Sequence, residues 1–166
     1  SYKCFKNLSH DEKKIYTNDI TAIKKHKYIT PHTLNLLCTW AVLTRLKQPD
    51  PESYPQEYRS LITKLDPFSK LQLYEQTDMQ PRFSLEEERL IREIQKKIWN
   101  ESQKMVVYEG RFGASPREIR AILHRASQNP EFKTLTPMAI FHELRQLLKD
   151  RTVYEFLQIE PRAKYH

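Results

Sequence analysis

A small polar residue followed by proline recurs along this chain, at Thr30-Pro31, Asp66-Pro67, Ser115-Pro116 and Thr136-Pro137. Proline suits the first position of a helix because its φ is already near the helical value and its missing N–H would have no intrahelical partner there. Ser, Thr or Asp just before it can accept a hydrogen bond from the first turn. Each pair therefore predicts a helix start. Apolar residues recur between them at helical spacing, without sustained alternation. The pattern predicts an all-α fold, a bundle of about seven or eight helices with no substantial sheet.

The first helix is predicted after Ser9, whose S-x-x-E capping box is completed by Glu12, with Ile15, Tyr16, Ile20 and Ile23 facing inward. The next, from Pro31 to about Lys47, is apolar on several sides and is predicted to be central. Pro49, Pro51 and Pro55 interrupt the pattern, and a short helix around Tyr58, Leu61, Ile62 and Leu65 precedes the Asp66 cap. Ser84 and Glu87 start what reads as the longest helix, through Leu90, Ile91, Ile94 and Ile98 to Met105. Val106-Val107-Tyr108 reads as an extended link. The helix from Pro116 stops at Gln128-Asn129-Pro130. Pro137 to Lys149 presents Ile140, Phe141, Leu144, Leu147 and Leu148, and a short helix over Val153 to Ile159 closes the chain.

A length of 166 residues suits one helical domain, residues 1–166, able to bury roughly 70% of its unfolded surface. Within it, 1–48 reads as N-terminal helices, 49–84 as a proline-rich hinge with short helices, and 85–160 as the long helix and those after it. Beginning at Ser1 without an initiator Met, the chain reads as a fragment of a longer protein. No apolar run approaches the roughly 20 residues that span a bilayer, and no basic-then-apolar leader opens the chain, which predicts a cytoplasmic location without membrane partners.

The two glycines, Gly110 and Gly113, are three apart, so neither a G-x-x-x-x-G-K phosphate loop nor a G-x-G-x-x-G turn can be built. Other enzyme motifs fail at the atom that matters. Arg111 stands where D-F-G needs the Mg²⁺-binding aspartate, and His124-Arg125-Ala126 lacks the base of H-R-D. Gln146 replaces the second histidine of a zinc H-E-x-x-H at His142-Glu143. His26 and His32 have no third ligand nearby. Cys4 and Cys38 form no C-x-x-C pair, and Cys38, inside an apolar helix, reads as a small buried hydrophobe. The chain by itself is predicted to be non-catalytic, with no metal and no cofactor.

The stretch that carries most chemistry is Glu109-Gly110-Arg111-Phe112-Gly113-Ala114-Ser115-Pro116-Arg117-Glu118-Ile119-Arg120. Ser115 can cap, Pro116 fits the first position, and Glu118 closes an S-x-x-E box. Arg117 then sits in the first turn, where free N–H groups and the positive end of the dipole favour an anion. Ile119, Ile122, Leu123 and Ala126 fall on one side of this helix, and Arg117, Arg120 and His124 on the other. Arginines opposite an apolar stripe suit a phosphate sensor; they are also what an ordinary solvated face presents.

G-A-S-P-R opening a helix resembles the sensor-two element of AAA+ ATPases, especially the MoxR type. Asp11-Glu12-Lys13-Lys14-Ile15-Tyr16, Leu43-Thr44-Arg45-Leu46-Lys47-Gln48-Pro49, Tyr108 to Arg117, Leu135-Thr136-Pro137-Met138-Ala139-Ile140 and Tyr154-Glu155-Phe156-Leu157 together resemble the bacterial PrkA-type serine protein kinases. The likeness runs in order from about residue 5 to about 160 and is weakest from Pro49 to Ser84. In that family a helical segment follows an AAA+ core with Walker motifs, and this chain resembles the following segment only. The resemblance implies a lid or regulatory segment, ATP and Mg²⁺ bound in the core of the parent kinase, and nucleotide phosphate sensed by Arg117, with Arg120 and Ser115 as further candidates. Arg111 is a candidate contact to the core or a neighbouring subunit. The implied partners are that AAA+ core, neighbouring subunits of an oligomer and a protein substrate.

A net charge of +7 and the cluster Lys24-Lys25-His26-Lys27-Tyr28 leave a second class open, a basic helical domain that binds nucleic acid or protein. The helix after Lys27 is too apolar to read a major groove, which ranks nucleic acid second.

Overall fold

The computed structural model describes residues 8–101 and 113–149, and these are helical apart from connecting turns. The helices are α1 (Leu8–Ile15), α2 (Thr17–Lys24), α3 (Thr33–Arg45), α4 (Gln56–Lys64), α5 (Pro67–Glu75), α6 (Leu85–Glu93), α7 (95–101), α8 (Pro116–Gln128) and α9 (Pro137–Leu148), with a 3-10 turn at Pro51–Ser53. The all-α expectation holds. Among the described residues the extended pairing is a single parallel bridge, Ile29 with Leu135, closed by Leu135 N–H to the Tyr28 carbonyl at 2.8 Å and Thr30 N–H to the Leu135 carbonyl at 3.0 Å. The predicted link at 106–108, the end of the long helix at Met105 and the helix at 153–159 lie outside the described residues.

Two expected helices are each broken in two. The first turns at Tyr16 (φ −103°, ψ 12°), whose N–H reaches only three residues back, to the Lys13 carbonyl. That tightening rotates α2 relative to α1: Tyr16, Ile20 and Ile23 are buried, but Ile15, expected inside, is 42% exposed. Ser9 lies within α1 rather than capping it. The expected long helix turns at Ile94 (φ −97°, ψ 7°), again with a three-residue bond, Ile94 N–H to the Ile91 carbonyl at 3.2 Å. Past that turn Gln95 is buried and donates to the Leu73 carbonyl.

The predicted caps form at Asp66, Ser84, Ser115 and Thr136, each accepting a backbone N–H from the first turn. Thr30-Pro31 departs from the pattern. His32 takes a left-handed φ of 67°, so α3 begins two residues later than the proline predicts, with the Thr30 and Thr33 hydroxyls 2.7 Å apart.

The chain folds as two compact units that it visits alternately. Residues up to Leu8 and Arg45–Arg111 make one, and Ser9–Thr44 with Phe112–His166 make the other. In the first, Tyr54, Leu61, Ile62, Leu65, Leu73, Tyr74, Met79, Phe83, Ile91 and Ile98 form the core. The proline-rich stretch is fastened there by the Asp50 cap on the 3-10 turn and by Tyr54, which donates to the Glu101 carboxylate. Burial, and then that carboxylate, push the Tyr54 phenol well above its ordinary range.

In the second unit, Tyr16, Ile20, Ile23, Leu34, Leu37, Cys38 and Ala41 pack against Ala114, Ile119, Ile122, Leu123, Ala126, Leu135, Ala139, Ile140 and Leu144. The four residues predicted to line the buried side of α8 are all at 1% exposure or less. On α9 the apolar stripe is wider than the space available to it. Ile140 and Leu144 are buried, whereas Phe141 and Leu148, one row round the helix, are 46% and 37% exposed.

Candidate functional site

The approach to α8 is fixed by backbone geometry at its first described residue. Gly113 has φ +93°, in the region that favours glycine, and a Cβ there would stand 2.3 Å from the Thr44 carbonyl oxygen. The next residue is tied to the same place: Ala114 N–H donates to Thr44 Oγ1 at 2.8 Å, and that hydroxyl donates to the Ala41 carbonyl at 2.7 Å. Gly113 and Ala114 are thus held against the last turn of α3, and Ala114 is buried. This sets where α8 starts and which way its first turn faces.

Ser115 then caps the helix reciprocally. Its Oγ accepts the Glu118 N–H at 3.3 Å, while its own N–H and hydroxyl both donate to Glu118 Oε2, at 2.7 and 2.9 Å. Pro116 has no N–H, so Arg117 carries the first-turn N–H that no described group accepts. The Ser115 hydroxyl, a candidate for phosphate contact, is engaged within the cap, and the Glu118 carboxylate already lies at the positive end of the dipole. A ligand anion at this end has to be met by a side chain.

The two arginines differ. Arg117 is exposed and makes no hydrogen bond or ion pair with any described residue. Arg120 is not free: its Nε lies 3.3 Å from Asp19 Oδ2, and its second guanidinium nitrogen donates to the Ile15 carbonyl. His124, one turn on, places Nε2 2.9 Å from Asp19 Oδ1. Burial alone pushes the Asp19 carboxyl up, but the bonds from His124 and Arg120 outweigh it and hold the group below its ordinary value. Asp19 therefore clamps α2 to α8 and engages two of the three polar residues predicted to face outward, leaving Arg117.

Further along α8, Arg125 pairs with the buried Glu143 of α9 at 3.4 Å. Arg111, the candidate interface residue, lies outside the described residues. Within the basic cluster, Lys27 points back into the fold and donates to the Asn129 and Phe132 carbonyls at 3.2 and 2.6 Å, which removes it from any surface that meets phosphates.

Residues 68–166 match the model of the PrkA serine protein kinase C-terminal domain, well over half of the 166 residues. The chain belongs to that family. The matched span takes in nearly all of α5, then α6 to α9, and with them the whole capped entrance from Gly113 to Glu118. No curated protein and no solved structure matches the chain significantly.

Thr44 and Asp19, the two residues that arrange this PrkA-family site from outside the matched span, were not singled out by sequence. Thr44 sits in the Leu43-Thr44-Arg45-Leu46 stretch that resembles the family, yet nothing in its spacing shows a bond to a residue 70 positions later. Asp19 is a lone carboxylate on a short helix, and its partners are 101 and 105 residues away.

Proposed function

We propose that the unit formed by Ser9–Thr44 and the residues from Phe112 onward is a helical lid of a PrkA-type AAA+ serine protein kinase, and that Arg117 contacts the phosphates of ATP bound with Mg²⁺ in the AAA+ core. The observation that carries this reading is the contrast on one helix face: Arg120 and His124 are tied to Asp19, while Arg117, one residue past the proline, is exposed and unpaired among the described residues. A guanidinium held at a defined helix start, with its charge uncompensated, is suited to bidentate capture of a phosphate. The capped entrance matters because a sensor has to arrive at one place. Gly113, Ala114 and Thr44 fix the start of α8, and Asp19 fixes its rotation against α2. Nucleotide state is then read as the position of a rigid helical body rather than as a change within it.

The lid carries no chemistry. Its role is to couple phosphate contact to conformational change, through the core and through neighbouring subunits of an oligomer. Hydrogen exchange in a chain that includes the AAA+ core tests this. Protection around the α8 entrance rises on adding ATP and is absent in Arg117→Ala; protection that ignores nucleotide contradicts a lid that senses it.

A further inference from the structure

The lysines of α1 and α2 have a different environment from the arginines of α8. Lys13 and Lys24 both line two adjoining cavities, one of about 280 Å³ shared with Thr17, Ile20 and Lys14, whose ammonium is paired with Asp11, the other of about 180 Å³ shared with His32 and Asn35 at the start of α3. Neither lysine's ammonium group makes an ion pair or hydrogen bond with a described residue. The reason lies in where the nearby acids went. From Ser9 to Arg45 the carboxylates are Asp11, Glu12 and Asp19. Asp11 is paired with Lys14 at 2.9 Å, Glu12 is buried and accepts the Tyr16 hydroxyl, and Asp19 is held by Arg120 and His124. The Thr17 and Thr21 hydroxyls are likewise turned to backbone carbonyls.

Two lysines therefore border a common hollow, and among the described residues neither ammonium group is paired with a carboxylate. Like charges that share a concavity raise the local potential, and a compact dianion relieves it. Lysine serves as a point-charge phosphate ligand, and a phosphate monoester carries close to two charges at neutral pH. The hollow lies just below the usual size range of small-ligand sites, which suits a phosphoryl group and its immediate attachment rather than a long polyanion.

We infer that Lys13 and Lys24 form a binding site for a phosphate monoester, borne by a phosphorylated side chain of a protein or by a free small molecule. The site is distinct from the α8 entrance. Asn35 beside it and Thr44 beneath the entrance are separated by nine residues of α3, about 13 Å of helix rise. It does not depend on the role proposed for Arg117.

Calorimetric titration of the chain at low salt, with inorganic phosphate, a phosphoserine peptide and the same peptide unphosphorylated, tests the inference. Saturable binding of phosphate and of the phosphopeptide is expected, with the unphosphorylated peptide inert. A phosphopeptide much tighter than inorganic phosphate assigns a protein-borne group, and equal affinities assign a free one. The double variant Lys13→Gln with Lys24→Gln should bind at least tenfold more weakly, and Lys13→Arg with Lys24→Arg should retain binding. Lys25→Gln and Lys133→Gln, at exposed lysines that line neither cavity, should behave as the parent does. Lys13 is half-buried and Lys24, Lys25 and Lys133 are exposed, so folding should be kept, which a thermal melt checks. The inference is overturned if the parent shows no saturable binding, if the glutamine pair binds as the parent does, or if Lys25→Gln loses as much, which would mean diffuse surface charge.

Discussion

The Thr44 hydroxyl lies 2.8 Å from the backbone nitrogen of Ala114 and accepts its N–H, 70 residues away in sequence, while the Thr44 carbonyl occupies the space that a side chain on the preceding residue would need. One residue at the end of α3 thus sets both the conformation and the position of the chain entering α8.

Gly113→Ala meets two penalties at once, a φ of +93° and a Cβ 2.3 Å from a backbone oxygen that has little room to move. The left-handed conformation alone disfavours an L-residue by roughly 1–2 kcal/mol, and relieving the clash adds to it, so a loss of at least about 2 kcal/mol is expected. Denaturant unfolding followed through hydrogen exchange in α8 and α9 measures it.

Thr44→Val keeps the shape and removes the hydroxyl that accepts the buried Ala114 N–H. A loss of about 1–3 kcal/mol is expected for removing one partner of a buried hydrogen bond. Thr44→Ser, which keeps the hydroxyl, should recover most of it. Equal losses in the two variants would show that the γ-methyl group, not the hydrogen bond, matters.

Asp19 supplies a pH dependence whose sign is set by its carboxyl being held below the ordinary value of 3.8. A carboxylate with a depressed folded-state value contributes stability that is fully present above its unfolded value and is lost as pH falls through the folded one. The clamp from α2 to α8 should therefore hold from neutral pH down to about 4 and weaken below it. Asp19→Asn removes this acid-side loss. At neutral pH the same change should cost no more than about 1 kcal/mol, because Arg120 and His124 are both about half exposed. Unfolding curves of the two proteins between pH 2 and 7, a range set by the carboxylate pKa scale, check both statements.

What sequence makes legible here is local. Ser-x-x-Glu at Ser115 and Glu118, and the 100° spacing of Ile119, Ile122, Leu123 and Ala126, are read within a dozen residues, and the structure has the cap and the buried stripe where that reading puts them. The turns at Tyr16 and Ile94 leave no such mark, since neither residue is Pro or Gly and each simply takes a three-residue bond in place of a four-residue one. Phe141 and Leu148 match a helical stripe as well as Ile140 and Leu144 do; which row of α9 is covered depends on the width of the neighbouring helices, which periodicity does not encode. The pairing of Arg120 with Asp19 is longer-range still. Two arginines that look alike in sequence become unlike only when a lone acid on α2 arrives beside one of them.

Ser115→Ala and Arg117→Ala separate folding from sensing. The first removes both the acceptor for the Glu118 N–H and a donor to the Glu118 carboxylate, and should destabilise the chain by about 1 kcal/mol. The second removes an exposed side chain without described partners and should change stability by less than about 0.5 kcal/mol. Thermal melts of the two variants against the parent decide this. A large loss in Arg117→Ala would reveal a structural role that its exposure does not indicate.

The central claim is that Arg117 reads nucleotide phosphate, and the measurement that tests it most directly is ATP affinity in a full-length protein carrying the AAA+ core together with this segment. Loss of a charge-assisted hydrogen bond to phosphate is worth roughly 1.5–3 kcal/mol, so Arg117→Ala should weaken ATP binding, or slow the ATP-dependent rate, by roughly 10- to 100-fold. Arg145→Ala, which removes another exposed arginine without a described partner from the same unit, is the matched control and should leave both unchanged. If Arg117→Ala binds and uses ATP as the parent does, or if Arg145→Ala loses as much, Arg117 is an ordinary solvated arginine and the account is wrong.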